Sequence, residues 1–473
     1  MLKAGERWRE KLTVEASGTL GCPLTISSYG AGAAPIIDGT DIITTWTIEG
    51  AGPAYKKQAT FGTETQCCCF ENGARLVKKT SVATVAATAG TFWLDVSTTP
   101  DTLYVHCTGD ADPATKTIEY TNRAQGVLFN GQDYIRVEGI EATKTAQSPF
   151  DLRSAVTGAV IEDCVASWGG LRGFDLGTLV NLKEDCTLHG CTAHDMFGEG
   201  IWTGGATNIL IEDCTAYNIC LADALAGTGI AAAGYGTGIR VGVDSYNTTV
   251  RGCYVHDVGY GYGIDSEWEA SGAAPVGTII EKNLVEMNLD NGSYGIQLDG
   301  INDICRNNVV VMTVAHQAIY MQVATADGTQ ILHNTLIGKT GASWLMELTK
   351  GSNITVKNNL FYREANGPVL NVAADAQAGI VIDYNEYYSP NNEAWKWGAT
   401  TYQTSTGFAD YKAASGQDAN AVNANPVFVS ASDFHLQAGS PCIGTGDATV
   451  GVPDDYDDVM RGIAVDIGAY EKV

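Results

Sequence analysis

The chain has 473 residues, with 28 Lys+Arg against 54 Asp+Glu, a formal net charge of −26. This acidity argues against nucleic acid and anionic membrane surfaces as partners, and against a polyanionic substrate unless a cation mediates contact. An apolar fraction of 45% with 17% charged residues excludes wholesale disorder, and apolar stretches such as 308–315 are too short to cross a bilayer.

In chain order, the opening Met1-Leu-Lys-Ala-Gly-Glu-Arg-Trp is polar from its third residue and is not expected to act as a signal peptide. Residues 1–39 read as the N-terminal part of a solenoid, with strand, turn, strand, Gly-rich turn and strand over 12–39 forming a first coil. Residues 40–125 break the pattern and are expected to form a β-rich insert, with FWLDVSTTPDTLYVHC as a hairpin. Residues 126–390 carry a repeat. Residues 391–473 lack it and are expected to cap the last apolar layer.

The repeat has one column of the form apolar-x-x-(Cys or Asn)-x-apolar: Cys164, Cys191, Cys214, Cys253, Asn283, Asn308, Asn334, Asn359 and Asn385. The last five lie 25 or 26 residues apart, and short alternating strands fill each unit. That period and pattern predict an all-β fold, a right-handed parallel β-helix whose coils stack at roughly 4.8 Å. Stacked asparagines would form an internal amide ladder. The cysteines would be structural thiols in the same slot; the 13 in the chain, an odd number, cannot all pair within it, and no histidine shares the column to complete a zinc site. The pairs His194-Asp195 and His256-Asp257 repeat at matching positions, which favours a structural role.

A second strand in each unit alternates in and out. Its outward column reads Leu128, Asp151, Asp175, Trp202, Arg240, Asp265, Gln297, Tyr320, Glu347 and Asn371. The neighbouring column reads Asn130, Arg153, Gly177, Gly204, Gly242, Glu267, Asp299, Gln322, Thr349 and Ala373. Asp265, Glu267 and Asp299 cluster within two coils, and stacked like charges cost energy. Glycoside hydrolysis needs two carboxyl groups, and one coil plus two residues puts the Asp265 and Asp299 Cα atoms about 8 Å apart. These three are the expected catalytic residues, with Glu267 as acid between two acidic neighbours. Asp175, Trp202, Arg240, Gln297, Tyr320, Gln322 and Glu347 are the expected substrate contacts, the aromatic residues offering flat faces to sugar rings. Insertions at 219–237 and 268–277 would wall the cleft.

The opening GERWREKLTVEASGTLGCPLTISSYG, the DTLYVH hairpin, the coils and the closing SPCIGTGD…RGIAVDIGAYE together resemble the pectate-lyase-like superfamily. More narrowly, they resemble bacterial right-handed β-helix repeat proteins that act on polysaccharides. The resemblance spans nearly the whole chain. It implies the fold and a polysaccharide or oligosaccharide partner, but no single reaction, since the superfamily holds hydrolases, lyases, epimerases and phage tailspikes. The polygalacturonase motifs are absent, and Tyr262-Gly-Ile-Asp-Ser-Glu matches only the first half of the alginate-epimerase signature. The resemblance also implies an extracellular or virion-associated protein, with a secretion signal and an earlier coil ahead of this sequence.

The expected function is therefore a glycoside hydrolase with no required cofactor. The alternative is a lyase or epimerase with Ca²⁺ held by Asp175, Asp265, Glu267 or Asp299 and Arg240 as base. Against it, the outward columns contain Arg153 and Arg240 as cations and no lysine. A third reading is a non-catalytic glycan-binding or tailspike-like protein. Monomer and homo-oligomer are both open.

Overall fold

Each repeat of about 25 residues bends twice to place one short strand in each of three parallel sheets. In the coil holding Asp265, Gly261–Ser266 lies in the first sheet, Ile279–Glu281 in the second and Leu284–Met287 in the third. The next coil repeats this with Ser293–Leu298, Ile304–Arg306 and Val309–Met312. The structure, a computed structural model, describes all residues except 51, 64–65, 178–182, 222–235, 268–271, 290–292, 341–342, 391–392, 404 and 473. Among the described residues the three sheets contain 13, 12 and 13 strands, so the chain is an all-β parallel solenoid.

Inward positions such as Ile161, Leu188, Ile211, Val250 and Ile280 are direct partners in successive strands and are fully buried. The corner between the second and third sheets is tight. The residue before each Cys or Asn of the column has φ near +55°, including Lys282, His333 and Tyr384, where a side chain makes that conformation costly. The column itself lies inside. Asn334 Nδ2 donates to Asn359 Oδ1 at 2.9 Å and to Cys305 O at 2.8 Å, and the same pattern joins Asn283, Asn308, Asn359 and Asn385. Cys164, Cys191, Cys214 and Cys253 continue the column as buried free thiols whose Sγ atoms point at backbone carbonyls.

Between Ile36–Asp38 and Val127–Leu128 the chain leaves the coil. It builds a four-stranded and a five-stranded sheet, the latter including the antiparallel pair Thr91–Asp95 and Thr102–His106. This unit is tied to the helix by Glu119, which accepts from Arg9 and Lys144, and by Arg75, whose guanidinium lies 4.8 Å over the Phe197 ring. At the other end the helix Gly407–Ser415 closes the last coil. The amide ladder ends there on Asp418, which accepts from Asn385 at 3.2 Å and from the Tyr387 and Tyr411 hydroxyls at 2.9 and 3.0 Å. Sequence predicted one cap over 391–473. Residues beyond Asp418 instead double back along the flank of the coils, where Phe434 and Ala469 pack on Val309, Val311 and Ile337. Lys282–Asp454 and Lys357–Asp447 pairs, both at 2.8 Å, tie this segment down.

Candidate active site

Register in the first sheet joins Leu128, Asp151, Asp175, Trp202, Arg240, Asp265, Gln297, Tyr320, Glu347 and Asn371 as consecutive partners. These side chains face away from the apolar core, yet the expectation of an open face is wrong for the acidic centre. Asp175, Asp265, Gln297 and Asp299 are each 0% exposed and Arg240 is 2% exposed, whereas Glu267, Tyr320, Gln322 and Glu347 are half-buried. Residues of the turns preceding the strands, which lie outside the alternating pattern, pair with part of this column. Arg172 and Glu199 are the two that matter most.

Arg240 organises the centre. Its guanidinium pairs with Glu267, lies 3.4 Å from Glu199 and places Nε 4.0 Å from Asp265. Asp265 accepts from Thr237 Oγ1 at 3.1 Å through Oδ2, while its buried Oδ1 has no hydrogen-bond partner among the described residues. Burial pushes the Asp265 carboxyl well above the usual carboxylate range; Arg240 opposes that shift and the charge of Glu267 adds to it. Asp299 receives the backbone N–H groups of Gln322 and Val323 on Oδ1, at 2.9 and 3.3 Å, and Gln297 Nε2 on Oδ2. Burial raises its pKa too, partly offset by those donors. Sequence pattern makes Glu267 the acid of the trio. In the structure it pairs with the Arg240 guanidinium.

Neither expected sugar platform offers a bare ring. The Trp202 indole is covered on one side by the Arg172 guanidinium, 3.7 Å from the ring centre. Its other neighbours are Gly177, Gly204 and Gly242, where an added Cβ would lie 1.8, 2.8 and 3.0 Å from indole atoms. The glycine run in the second outward column is therefore the seat of Trp202. Tyr320 is stacked on Tyr294 at 5.1 Å, and Tyr294 on Tyr262 at 5.3 Å. Sequence reasoning passed over Tyr262 and Tyr294 because both precede the alternating stretch. Tyr262 reaches the site: its hydroxyl accepts from Gln322 at 3.3 Å, and burial, with the Glu267, Asp265 and Asp299 charges, raises its pKa. Glu347 accepts from Asn371 at 2.6 Å and from Gln317.

Toward the N-terminal end, Asp175 accepts from Ser148 at 2.9 Å and lies 3.5 and 3.6 Å from Arg153 and Arg172. Arg172 also bonds Glu199 at 3.2 Å, so ion pairs link Asp151 to Glu267 across the coils. Lys183, invisible to the pattern because it sits in a separate small sheet, is fully buried. Burial draws its pKa down to about 8 against the opposing charges of Asp175 and Asp151. The face thus gathers Arg172 and Lys183 in addition to Arg153 and Arg240. The four carboxyl groups considered for calcium do not converge: Asp175 is three strands from Asp265 and held by arginines. Among the described residues no three His, Cys, Asp or Glu side chains gather as ligands for one ion.

His194 and His256 lie on the third sheet, stacked on either side of Tyr217 at 5.0 and 5.2 Å and bonded to Asp195 and Asp257 at 2.7 and 2.6 Å. They belong to an aromatic ladder rather than to the acidic centre. Most of the expected cleft walls, 222–235 within 219–237 and 268–271 within 268–277, lies outside the described residues.

Residues 104–273 match the family model for the right-handed beta helix region. The chain has a right-handed parallel β-helix fold. A search by sequence among curated proteins finds no match. Among solved structures, the chain is similar to that of XylC in complex with xylose, with a TM-score of 0.64 at 14% identity over 100% of this chain and 94% of the other. It is also similar to a structure described as a glycoside hydrolase, with a TM-score of 0.51 at 12% identity over 81% of this chain and 88% of the other. At such identities the likeness is one of fold, and fold alone does not fix a reaction.

Proposed function

We propose that this β-helix is a carbohydrate-active enzyme, a glycoside hydrolase acting on a polysaccharide or oligosaccharide outside the cell. One observation carries the reading: two carboxyl groups, Asp265 on the strand Gly261–Ser266 and Glu267 just beyond its end, approach the same guanidinium. Burial raises the Asp265 pKa, which favours the protonated form that a general acid for the leaving oxygen requires, and its Oδ1 has no hydrogen-bond partner among the described residues. Glu267, paired with Arg240 and half-buried, is the carboxylate that activates water or attacks the anomeric carbon. Asp299, held by two backbone amides and Gln297, orients substrate beside them. The fold shared with XylC and with a glycoside hydrolase supports a sugar substrate.

A second reading, β-elimination or epimerisation, rests on Lys183. A buried lysine drawn down to about 8 beside Asp175 has the character of a base. Incubation with a broad glycan panel separates the two. Plain new reducing ends support hydrolysis, unsaturated ends support elimination, and binding without turnover leaves a glycan-binding protein.

A further inference from the structure

The second sheet carries a charged ladder on its outer side. Glu212, Arg251, Glu281 and Arg306 are direct partners in successive strands. Arg251 spends Nε and Nη2 on one oxygen of Glu212, and Arg306 places Nε and Nη2 2.7 and 2.6 Å from one oxygen of Glu281. Above this floor the returning C-terminal segment forms a wall through Pro453, Asp454, Tyr456 and Asp458, and a cavity of about 650 Å³ remains between them. The wall is buttressed from behind. Buried Asp455 accepts from the amides of Asp457, Val459 and Glu471 at 2.9, 2.8 and 2.7 Å, and Arg461 bonds Asn307 at 3.0 Å and Glu471 at 2.9 Å. Lys282 fixes Asp454 and Asp458 to the floor.

The lining selects a chemistry. Five carboxylates (Glu212, Asp213, Glu281, Asp454, Asp458) face three cations (Arg251, Lys282, Arg306), an excess of two negative charges that repels anions. Each cation is already paired with a carboxylate, and the volume is that of a small-molecule site rather than of one ion. Paired arginines and carboxylates at one-coil spacing offer alternating donors and acceptors, with Pro453 and Tyr456 as apolar wall. Pre-organised walls lower the entropy cost of binding.

We propose that this cavity is a second, non-catalytic binding site for a neutral polyhydroxylated ligand, an oligosaccharide segment, on a different sheet from the acidic centre. It does not require that centre to be catalytic. The test is isothermal titration of Glu267→Gln protein with xylohexaose, cellohexaose and mannohexaose. Binding at the cavity is expected, weakened at least about tenfold by Arg306→Gln and by Asp454→Asn, whereas Tyr320→Ala in the first sheet changes only what binds at the acidic centre. Should Arg306→Gln lose its fold, Asp454→Asn at the cavity rim carries the test alone. The proposal is overturned if none of the three oligosaccharides binds, if a folded cavity variant binds as before, if Tyr320→Ala removes all binding, or if Ca²⁺ or phosphate occupies the cavity instead. Failure of the hydrolase reading leaves wild type and Glu267→Gln titrating alike, which does not touch this outcome.

Discussion

The Trp202 indole lies directly over Gly177, so that a methyl group on that glycine would stand 1.8 Å from Cζ3 of the ring. Nothing flexible separates them, because Arg172 covers the other side of the indole at 3.7 Å. Gly177→Ala must therefore displace Trp202 or strain the sheet, at a cost of about 1–3 kcal/mol. A lower Tm and a red-shifted tryptophan emission are expected. Combining Gly177→Ala with Trp202→Leu should recover part of the loss, a coupling that two independent substitutions would lack.

The amide ladder makes a contrasting prediction. Asn334→Leu takes the acceptor from the Asn308 N–H and removes one hydrogen bond each from the Asn308 amide, which keeps Ile280 O, from the Asn359 Oδ1, which keeps the Asn334 N–H, and from the Cys305 carbonyl. A buried group left unsatisfied costs about 1–3 kcal/mol and each further lost hydrogen bond about 1 kcal/mol, so a total loss of about 3 kcal/mol or more is expected. Cys253→Ala, which removes only weak thiol contacts at 3.4 and 3.7 Å, should cost no more than about 1 kcal/mol. Thermal unfolding of the two variants side by side checks the difference.

That ladder was legible because a period of 25 or 26 residues repeats without interruption from Asn283 to Asn385. The same regularity places Asp265 beside Arg240 and Gln297 in register. The partners Arg172 and Glu199 were not legible, because they come from turns where neither period nor alternation applies. The glycines at 177, 204 and 242 look like gaps in a charged column until the indole they seat is seen. Lys183 was hidden because it sits in a separate small sheet, and the returning flank because it meets the coils through contacts far apart in sequence, such as Lys282 with Asp454.

Stability should fall as pH rises from about 4 to 7. Asp303 and Asp418 are fully buried, and burial pushes their carboxyl groups from 3.8 up to about 7 and about 6. Both are protonated below 3.8 in folded and unfolded chains alike. Above it the unfolded chain releases protons that the folded one retains, so stability is lost until the folded groups also ionise. The span is about 4 kcal/mol for Asp303 and about 3 for Asp418. Asp303→Asn removes the first contribution, and its Tm relative to wild type should climb between pH 4 and pH 7. A constant difference across that range would show that Asp303 is ionised in the fold.

Asp265→Asn, Glu267→Gln and Asp299→Asn should each retain the fold. Asparagine matches the shape of a neutral Asp265. Asp299→Asn keeps an oxygen for the Gln322 and Val323 amides once Gln297 turns its own carbonyl toward it. Glu267→Gln leaves Arg240 beside Glu199 and Asp265. If hydrolysis runs through an acid and a carboxylate, Asp265→Asn and Glu267→Gln should each lower turnover about a hundredfold or more. They should also act on opposite limbs of the pH profile. Wild-type activity should fall at high pH as Asp265 finally ionises, and at low pH as Glu267 gains a proton. Loss of the high-pH limb in Asp265→Asn, with the residual rate flat there, identifies the acid. A chelator should leave the wild-type rate unchanged, since neither role uses a metal. Activity abolished by chelation and restored by Ca²⁺, with unsaturated products, transfers the reaction to the Lys183 end of the ladder. Full activity in all three variants on a confirmed substrate removes the acidic centre from catalysis altogether.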